Sequence, residues 1–447
     1  MFWREAPALP EGFQTYLDQV AAAIPWRRAR PFALRELRTH LLEQKDAFLA
    51  QGMTEEAAEA AALRDMGDPA EVGAGLGELH RPRNQRAALA AIGVLALLSV
   101  FLRFTLTRGY EFETPDPLRT AAALVLGLGV LVGLTFFDYR ILARHAKELY
   151  AAALLLGLLT WRFGPQVNGA AWYARHVVLF YPVVYAIWLC ACRNKGWKGV
   201  FLAVFGGVPL AVVACLAPYI TGLFLLLTTG LVLLLAAAGM DWFGIGKRQT
   251  AFAACAAALA LGLTACWRGW GRVRVYLHPE QDPLGRGYQA MSVRNMLSGA
   301  QWQGRTTAVS PYGDYPYEYA VPEWNNDFFL TTIACKLGLL FFFLVVGVMA
   351  LLFLWLLCRA ARSRNLFGKL LALSALAPLL MQTAAAAVQN LGYVLTAVPV
   401  PFFSGNLILI ETLALLGLAL STLRQQDLPE EQGTAPRKKW KLVLVSE

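Results

Sequence analysis

Apolar residues in this chain gather into long runs, at roughly 87–107, 118–137, 148–162, 176–192, 199–217, 219–239, 250–267, 328–357, 368–397 and 402–422. A hydrocarbon core of ~30 Å takes about 20 apolar residues as a helix. The runs therefore predict an all-α polytopic membrane protein of about ten transmembrane helices. The run at 148–162 is short, and the two runs that meet at Pro218 also read as one bent helix. Before residue 82 the pattern is different. Leu34, Leu37, Leu41 and Phe48 recur at helical spacing with Arg35, Glu36, Arg38, Glu43 and Lys45 between them, which predicts an amphipathic helix. Gly52 ends it. Thr54 is placed to cap the next helix, which runs to Gly67. Asp68-Pro69-Ala70-Glu71 starts another, with Asp68 at the N-cap, Pro69 at N1 and Glu71 closing a capping box. The expected organisation is a cytoplasmic helical domain over 1–82, a transmembrane domain over 87–422 and a basic cytoplasmic tail over 423–447.

Charge sets the expected orientation. Arg140, Arg144 and Lys147, then Arg193, Lys195 and Lys198, then Lys247 and Arg248, then Arg359, Arg362 and Arg364 fill alternate gaps. The first gap carries Glu111, Glu113 and Asp116 instead. Positive residues stay inside, so both termini are expected in the cytoplasm, and Arg437, Lys438, Lys439 and Lys441 in the tail agree. One outer gap, 268–327, is sixty residues long and rich in Arg, Tyr, Trp, Gly and Pro. Loops beyond ~12–15 residues without secondary structure are uncommon and usually functional, so function is sought there first.

Composition agrees with the runs: 57% of the 447 residues are hydrophobic and 16% are charged. The net charge of +10 sits in the short gaps between apolar runs, which argues for membrane orientation and against a nucleic-acid partner. The polar first eighty residues hold no short apolar segment of the secretory-signal kind, so the first span is expected to serve as its own insertion signal. Cys190, Cys192, Cys215, Cys255, Cys266, Cys335 and Cys358 lie in or beside predicted spans. They read as small apolar packing residues, with no disulfide framework and no metal-ligand spacing.

Two outer segments carry candidate chemistry. In Val321-Pro322-Glu323-Trp324-Asn325-Asn326-Asp327-Phe328-Phe329, two carboxylates stand four apart just before a span. A helix there would put Glu323 and Asp327 on one face, and partial desolvation would make either a better proton acceptor. The competing reading makes Asn326 and Asp327 ordinary caps of a helix that begins at Phe328. The second segment, 279–289, has turn-forming Pro and Gly and leads into Arg286, Arg294 and Arg305. Guanidinium groups pair with phosphate oxygens bidentately, so this group suits a pyrophosphate, while each Arg alone also suits solvent or lipid headgroups. Gln389, Asn390 and Glu411 fall in the last two spans. The amides read as helix-packing hydrogen bonders. Glu411, being ionisable, reads either as a paired packing residue or as part of a cavity. No phosphate-binding P-loop, nucleophile elbow or His-rich metal pattern occurs, and the five His are scattered.

These segments resemble the SEDS family, the RodA/FtsW/SpoVE-type membrane glycosyltransferases that polymerise peptidoglycan. The stretch 276–289, YLHPEQDPLGRGYQ, is similar to the family's Asp-Pro-x-Gly-x-Gly-Tyr-Gln element. The stretch 321–340, VPEWNNDFFLTTIACKLGLL, is similar to Leu-Pro-Glu-Ala-His-Thr-Asp-Phe with its Leu-Gly-Leu-Leu tail. The stretch 386–404, AAVQNLGYVLTAVPVPFFS, resembles the segment ending Pro-Leu-Pro-Phe-Ile-Ser, and Asn168-Gly169-Ala170 with Trp172 resembles an outer-loop Asn-Gly-Ala. The prefix run 53–72, MTEEAAEAAALRDMGDPAEV, resembles a small helical domain found before several bacterial permeases.

The resemblance implies a multi-pass protein of the bacterial cytoplasmic membrane that polymerises lipid-linked disaccharide-pentapeptide at the outer face. Asp327 matches the family's required Asp, and Glu323 is matched too. Arg286, Arg294, Tyr288 and Asn325 become candidate substrate-binding residues. A class B penicillin-binding protein is the implied partner, beside the lipid-linked precursor and membrane lipids. No cofactor is named, and a divalent cation is left open. The chain departs from the family pattern at Asn325, where His is usual, and at Cys335-Lys336, where an acidic pair is usual. Ala217-Pro218-Tyr219-Ile220-Thr221-Gly222 stands for Gln-Pro-Asp-Leu-Gly-Thr, Tyr181-Pro182-Val183-Val184 for Gln-Pro-Ser-Glu, and Gly405-Asn406-Leu407-Ile408 for Gly-Gly-Ser-Ser. These departures support an alternative reading, a non-catalytic scaffold or regulator that binds a precursor or a transpeptidase.

Overall fold

The computed structural model describes residues 9–108, 115–167, 170–256, 274–308, 321–363 and 365–428. The all-α architecture expected from the runs is what it shows, with a single two-residue hairpin pairing Gln166 with Ala171 and Val167 with Ala170 as the strand content of the described residues. The chain divides into two compact units, one of residues 1–84 with 363–365 and 425–447, the other of 85–362 with 366–424.

The first unit holds α1 (Glu11–Ala23), α2 (Arg30–Ala50), α3 (Glu55–Met66) and α4 (Pro69–Leu79). Phe13, Tyr16, Leu17 and Val20 line one face of α1 at three- and four-residue spacing and are buried against Leu37 and Leu41 of α2. Gly52 and Gly67 take φ of +88° and +77° and end α2 and α3, conformations that cost a side chain but not glycine. The Asp68 carboxylate accepts the Glu71 N–H at 3.1 Å, so the cap expected for α4 is made. Thr54 occupies the N-cap of α3 in an extended conformation without a side-chain cap bond. Gly73 lets α4 lie against α1, where a Cβ would stand 2.8 Å from the Val20 carbonyl oxygen. Lys45 bridges α2 to α3 through Glu55 at 2.7 Å and Glu59 at 2.6 Å.

The second unit is a helical bundle. Among the described residues seven helices are long and apolar enough to cross a membrane. They are α5 (Arg86–Thr107), α6 (Pro117–Phe136), α11 (Gly196–Leu216), α12 (Ile220–Gly239), α16 (Leu339–Ala361), α17 (Leu366–Asn390) and α18 (Gly405–Arg424). The helices α9 (Trp172–Leu179) and α10 (Tyr181–Cys192) pass the same test only together, as a pair bent by 47°, the form of a broken span or a re-entrant loop. The short run at 148–162 is α8 (Ala146–Phe163), which follows the single turn α7 (Arg140–Arg144). The described start of the run at 250–267 is the helical stretch 247–256 (α13); the rest of that run, with Cys266, lies outside the described residues.

The two runs that meet at Pro218 are separate helices, α11 and α12, as the pattern of runs has them, and not one bent helix. Two expectations change. The run 328–357 is two helices, a short α15 (Phe329–Lys336) and then α16, because Gly338 at φ +112° turns the chain between them. The loop 268–327 is not without structure: it contains a 3-10 turn at Pro279–Gln281 and α14 (Tyr288–Leu297), whose Val293 and Met296 pack with Val321, Trp324 and Phe328. Residues 268–273 and 309–320 of that loop lie outside the described residues, as do Glu111, Glu113, Asn168, Gly169, Arg364 and the basic tail from 429. Among the described cysteines, Cys192 and Cys335 are buried, and Cys215, Cys255 and Cys358 are exposed.

α6 and α18 approach most intimately through glycine. A Cβ at Gly127 would stand 2.7 Å from Leu413 Cδ1, and one at Gly417 would stand 2.8 Å from the Leu131 carbonyl oxygen. Small residues at a helix contact are the usual means of close packing inside a bilayer, where lipid and side chains are equally apolar.

Candidate active site

The turn 321–328 is built from its own backbone. Asn326 N–H and Phe328 N–H both donate to the Glu323 carbonyl, at 2.9 and 3.1 Å. Glu323 adopts φ +60°, so the segment is not helical and Glu323 and Asp327 do not share a helical face. The capping alternative is not made either: Phe328 takes the N-cap of α15 and no side chain caps it. The Glu323 carboxylate instead accepts from Asn326 Nδ2 at 2.9 Å.

The two amides of α17 hold the Asp327 backbone. Gln389 Nε2 and Asn390 Nδ2 each donate to the Asp327 carbonyl at 3.0 Å. The Asn390 Oδ1 accepts the Thr331 N–H at 2.8 Å, and the Gln389 Oε1 accepts the Val398 N–H at 2.6 Å. The helix-packing role expected for both amides is thus a grip on the turn that presents Asp327. From the other side, Ser404 Oγ donates to the Asn326 carbonyl at 3.2 Å and accepts the Val400 N–H at 2.6 Å. Phe402, in the same loop, takes φ +68°. Glu323, four residues before Asp327, and Phe402, two residues before Ser404, are both non-glycine residues in the left-handed region, and such strain persists only where surroundings over-determine it.

The charge environment of Asp327 comes from segments far apart in sequence. Burial pushes its carboxyl up to about 6, and Glu323 adds repulsion. The fields of Arg175 and His176 and a hydrogen bond with Ser404 oppose that rise. Arg175 and His176 ride on the half-helix α9. Pro182 follows the bend in the first turn of α10, where its missing N–H and ring favour a break in the preceding helix. The Arg175 guanidinium lies 3.5 Å from the centre of the Trp172 ring. His176 Nδ1 stands 2.6 Å from Glu411 Oε1 on α18, and both side chains are 11% exposed. Tyr219, just before α12, feels the fields of Asp327, Glu411 and Arg175. Five segments therefore meet around one carboxylate.

The other candidates are distributed around this centre. Asn325 shares the turn with Glu323 and Asp327 and is half-buried. Arg294, on α14, donates from Nε to the Gly392 carbonyl at 3.0 Å and lies 4.9 Å over the Tyr393 ring, at the end of the helix that carries Gln389 and Asn390. Tyr288 opens α14 and is half-buried, while Arg286 is exposed and its backbone N–H is held by Asp282 at 3.0 Å. Neither Arg286 nor Arg294 is among the groups whose fields reach Asp327; the arginine that does so is Arg175. Sequence reasoning passed over Arg175, His176, Tyr219 and Ser404. The available signal was an Arg-His pair at the edge of an apolar run, since ionisable residues at membrane depth mark functional cavities by default. Among the described residues no group of three or more His, Cys, Asp or Glu comes together as a metal site.

A carboxylate raised in proton affinity, partly open, and fixed through its backbone can accept a proton from a neutral hydroxyl. Escherichia coli K12 peptidoglycan glycosyltransferase MrdB is 25% identical over 268 residues, covering 57% of this chain and 70% of that protein. A probable peptidoglycan glycosyltransferase FtsW of Thioalkalivibrio is 29% identical over 180 residues, covering 38% of this chain and 42% of that one. In fold, the chain matches a solved chain from a peptidoglycan synthase complex, described as coordinating polymerization and crosslinking, at a TM-score of 0.57 and 23% identity, covering 75% of this chain and 97% of that one. It matches a point mutant of Thermus thermophilus rod shape-determining protein RodA at a TM-score of 0.52 and 20% identity, with coverage of 75% and 97%. The cell cycle protein model for FtsW, RodA and SpoVE matches residues 83–427, and the chain is an integral membrane protein that belongs to this family.

Proposed function

We infer that this protein polymerises lipid-linked disaccharide-pentapeptide into glycan strands, with Asp327 as general base. The sugar hydroxyl of the acceptor attacks the anomeric carbon of the donor. A new C–O bond forms, the bond to pyrophosphate breaks with its electron pair on the leaving oxygen, and the hydroxyl proton passes to the Asp327 carboxylate. Undecaprenyl pyrophosphate leaves. The observation that carries this reading is the convergence of Gln389, Asn390 and Ser404 on the turn of a carboxylate whose proton affinity is raised into the working range of a base. Glu323 and Asn325 in the same turn are suited to sugar hydroxyls, and Tyr288, Arg286 and Arg294 to the rest of the precursor. The charge alternation of the gaps supports a site at the outer face, with both termini in the cytoplasm. A class B penicillin-binding protein is the expected partner, since no serine cross-linking motif is seen in this chain.

The test is polymerisation of purified lipid-linked disaccharide-pentapeptide by the purified protein, alone and with a candidate transpeptidase, beside Asp327→Ala. Glycan chains from the wild type and none from the variant support the reading. Equal product from both sinks Asp327 as the base. The departures at Tyr219, Val184 and Cys335-Lys336 favour a second reading, a non-catalytic regulator that binds the precursor. Precursor bound without product from either protein selects it.

A further inference from the structure

The cluster on α9 and α18 holds more polar capacity than it uses. Arg175 Nε and His176 Nε2 are buried donor positions, and Glu411 Oε2 a buried acceptor, without a hydrogen-bond partner among the described residues. Placing an arginine and a histidine in the apolar part of a bundle is costly unless their hydrogen bonds are met. Among the described residues, the carboxylate in direct contact with the pair is Glu411, at 2.6 Å from His176 Nδ1. The Trp172 ring at 3.5 Å fixes the guanidinium plane without taking up its N–H groups. We propose that Arg175 and His176 form a subsite for the pyrophosphate of a polyprenyl-linked substrate, and that Glu411 is the internal counterion which holds this subsite closed until the phosphates arrive.

This rests on the glycosyltransferase reading, because it assigns the leaving group of that reaction. The geometry is suited to it. The pyrophosphate is bonded to the carbon that the acceptor hydroxyl attacks, so its oxygens must lie close to the base that takes the hydroxyl proton. Arg175 and His176 both act electrostatically on Asp327, and Arg175 also acts on Glu411 and Tyr219. A guanidinium fork takes two phosphate oxygens at once, and an imidazolium donates from both nitrogens. Glu411 faces the same two side chains and therefore competes with the incoming phosphates. Removing its charge frees the subsite, whereas removing Arg175 destroys it.

Binding, not turnover, separates these roles. The full-length protein in nanodiscs is titrated with undecaprenyl pyrophosphate and, separately, with undecaprenol, and occupancy is read by native mass spectrometry. The wild type is expected to prefer the pyrophosphate. Arg175→Met is expected to lose about tenfold or more of that preference, the scale of a charge-assisted hydrogen-bonded contact, while still binding undecaprenol. Glu411→Gln is expected to bind undecaprenyl pyrophosphate several-fold more tightly than the wild type, a gain that a misfolded variant does not give. Unchanged preference in Arg175→Met, or no gain in Glu411→Gln, overturns the proposal. Asp327→Asn is measured beside them and is expected to keep the preference. If the wild type makes no glycan yet shows Arg175-dependent preference, the catalytic reading fails and the subsite stands. If polymerisation needs Asp327 but binding ignores Arg175, the subsite alone fails.

Discussion

At the residue scale the decisive quantity is the charge on Asp327. Burial is the largest cause of its rise from 3.8 to about 6, and the cations of α9 hold that rise in check. A base must be ionised to accept a proton, so polymerisation is expected to fall as pH drops through about 6, well above the range where an ordinary Asp would lose activity. A pH–rate profile of the purified protein checks this, and a flat profile down to the ordinary carboxylate range would contradict it. The same shift has a stability consequence of definite sign. An acid whose folded pKa is raised destabilises the folded state once it ionises, and the cost grows as pH rises from 3.8 through 6. The full cost is about 3 kcal/mol at most. Asp327→Asn is therefore expected to melt at a higher temperature than the wild type above that window. The gap should close as pH falls to the ordinary carboxylate range.

At the element scale, α17 connects packing to chemistry. Asn390 uses one amide to hold the Asp327 carbonyl and both the N–H and hydroxyl of Thr331, at 3.0, 2.8 and 2.9 Å. Asn390→Ala leaves a buried N–H without its acceptor, at a cost of about 1–3 kcal/mol, and frees the turn that presents Asp327. The expected outcome is a lower melting temperature together with at least about a tenfold slower polymerisation, since small misplacements of a base are expensive. Unchanged turnover in a destabilised protein would reduce Asn390 to packing alone. α18 is fixed by a different device. Gly417→Val would press a side chain onto the Leu131 backbone, at 2.8 Å from its carbonyl oxygen, an overpacking worth about 1–3 kcal/mol. Reduced accumulation of the variant in membranes, or its earlier melting in detergent, checks this.

The same elements explain what the sequence could and could not disclose. Among the described residues, each of the seven long helices falls on an apolar run, because a hydrocarbon slab sets a minimum apolar length for a crossing helix. Bends escaped the run pattern: Phe180 and Leu337 are apolar, so hydropathy passes through both breaks, and only Pro182 and Gly338 betray them. The helical spacing of Glu323 and Asp327 misled because Glu323 takes φ +60° and folds the turn back on its own carbonyl. Arg175, His176 and Glu411 meet through tertiary packing between α9 and α18, and no local pattern encodes a contact of that range.

At the scale of the whole molecule, the chain carries a compact helical unit distinct from the bundle. Its core is small, and part of it comes from the far end of the chain. Leu428 is 1% exposed and joins the cluster of Phe13, Leu17, Val20 and Leu41. Arg83 and Asp427 pair beside it at 2.6 Å. The two contacts differ in weight. Arg83 is mostly exposed, and exposed ion pairs contribute about 0–1 kcal/mol, so Arg83→Ala should leave the unit nearly unchanged. Truncating a buried leucine costs about 2–5 kcal/mol, a large share of the roughly 5–10 kcal/mol that holds a domain of this size together. Leu428→Ala in the full-length protein is therefore expected to expose α1 to α4 to limited proteolysis while the bundle stays intact. Polymerisation by the same variant then reports whether the unit governs the site. Full activity with a proteolysed prefix makes the prefix dispensable for chemistry, whereas activity lost together with prefix integrity supports a regulatory role for residues 1–84.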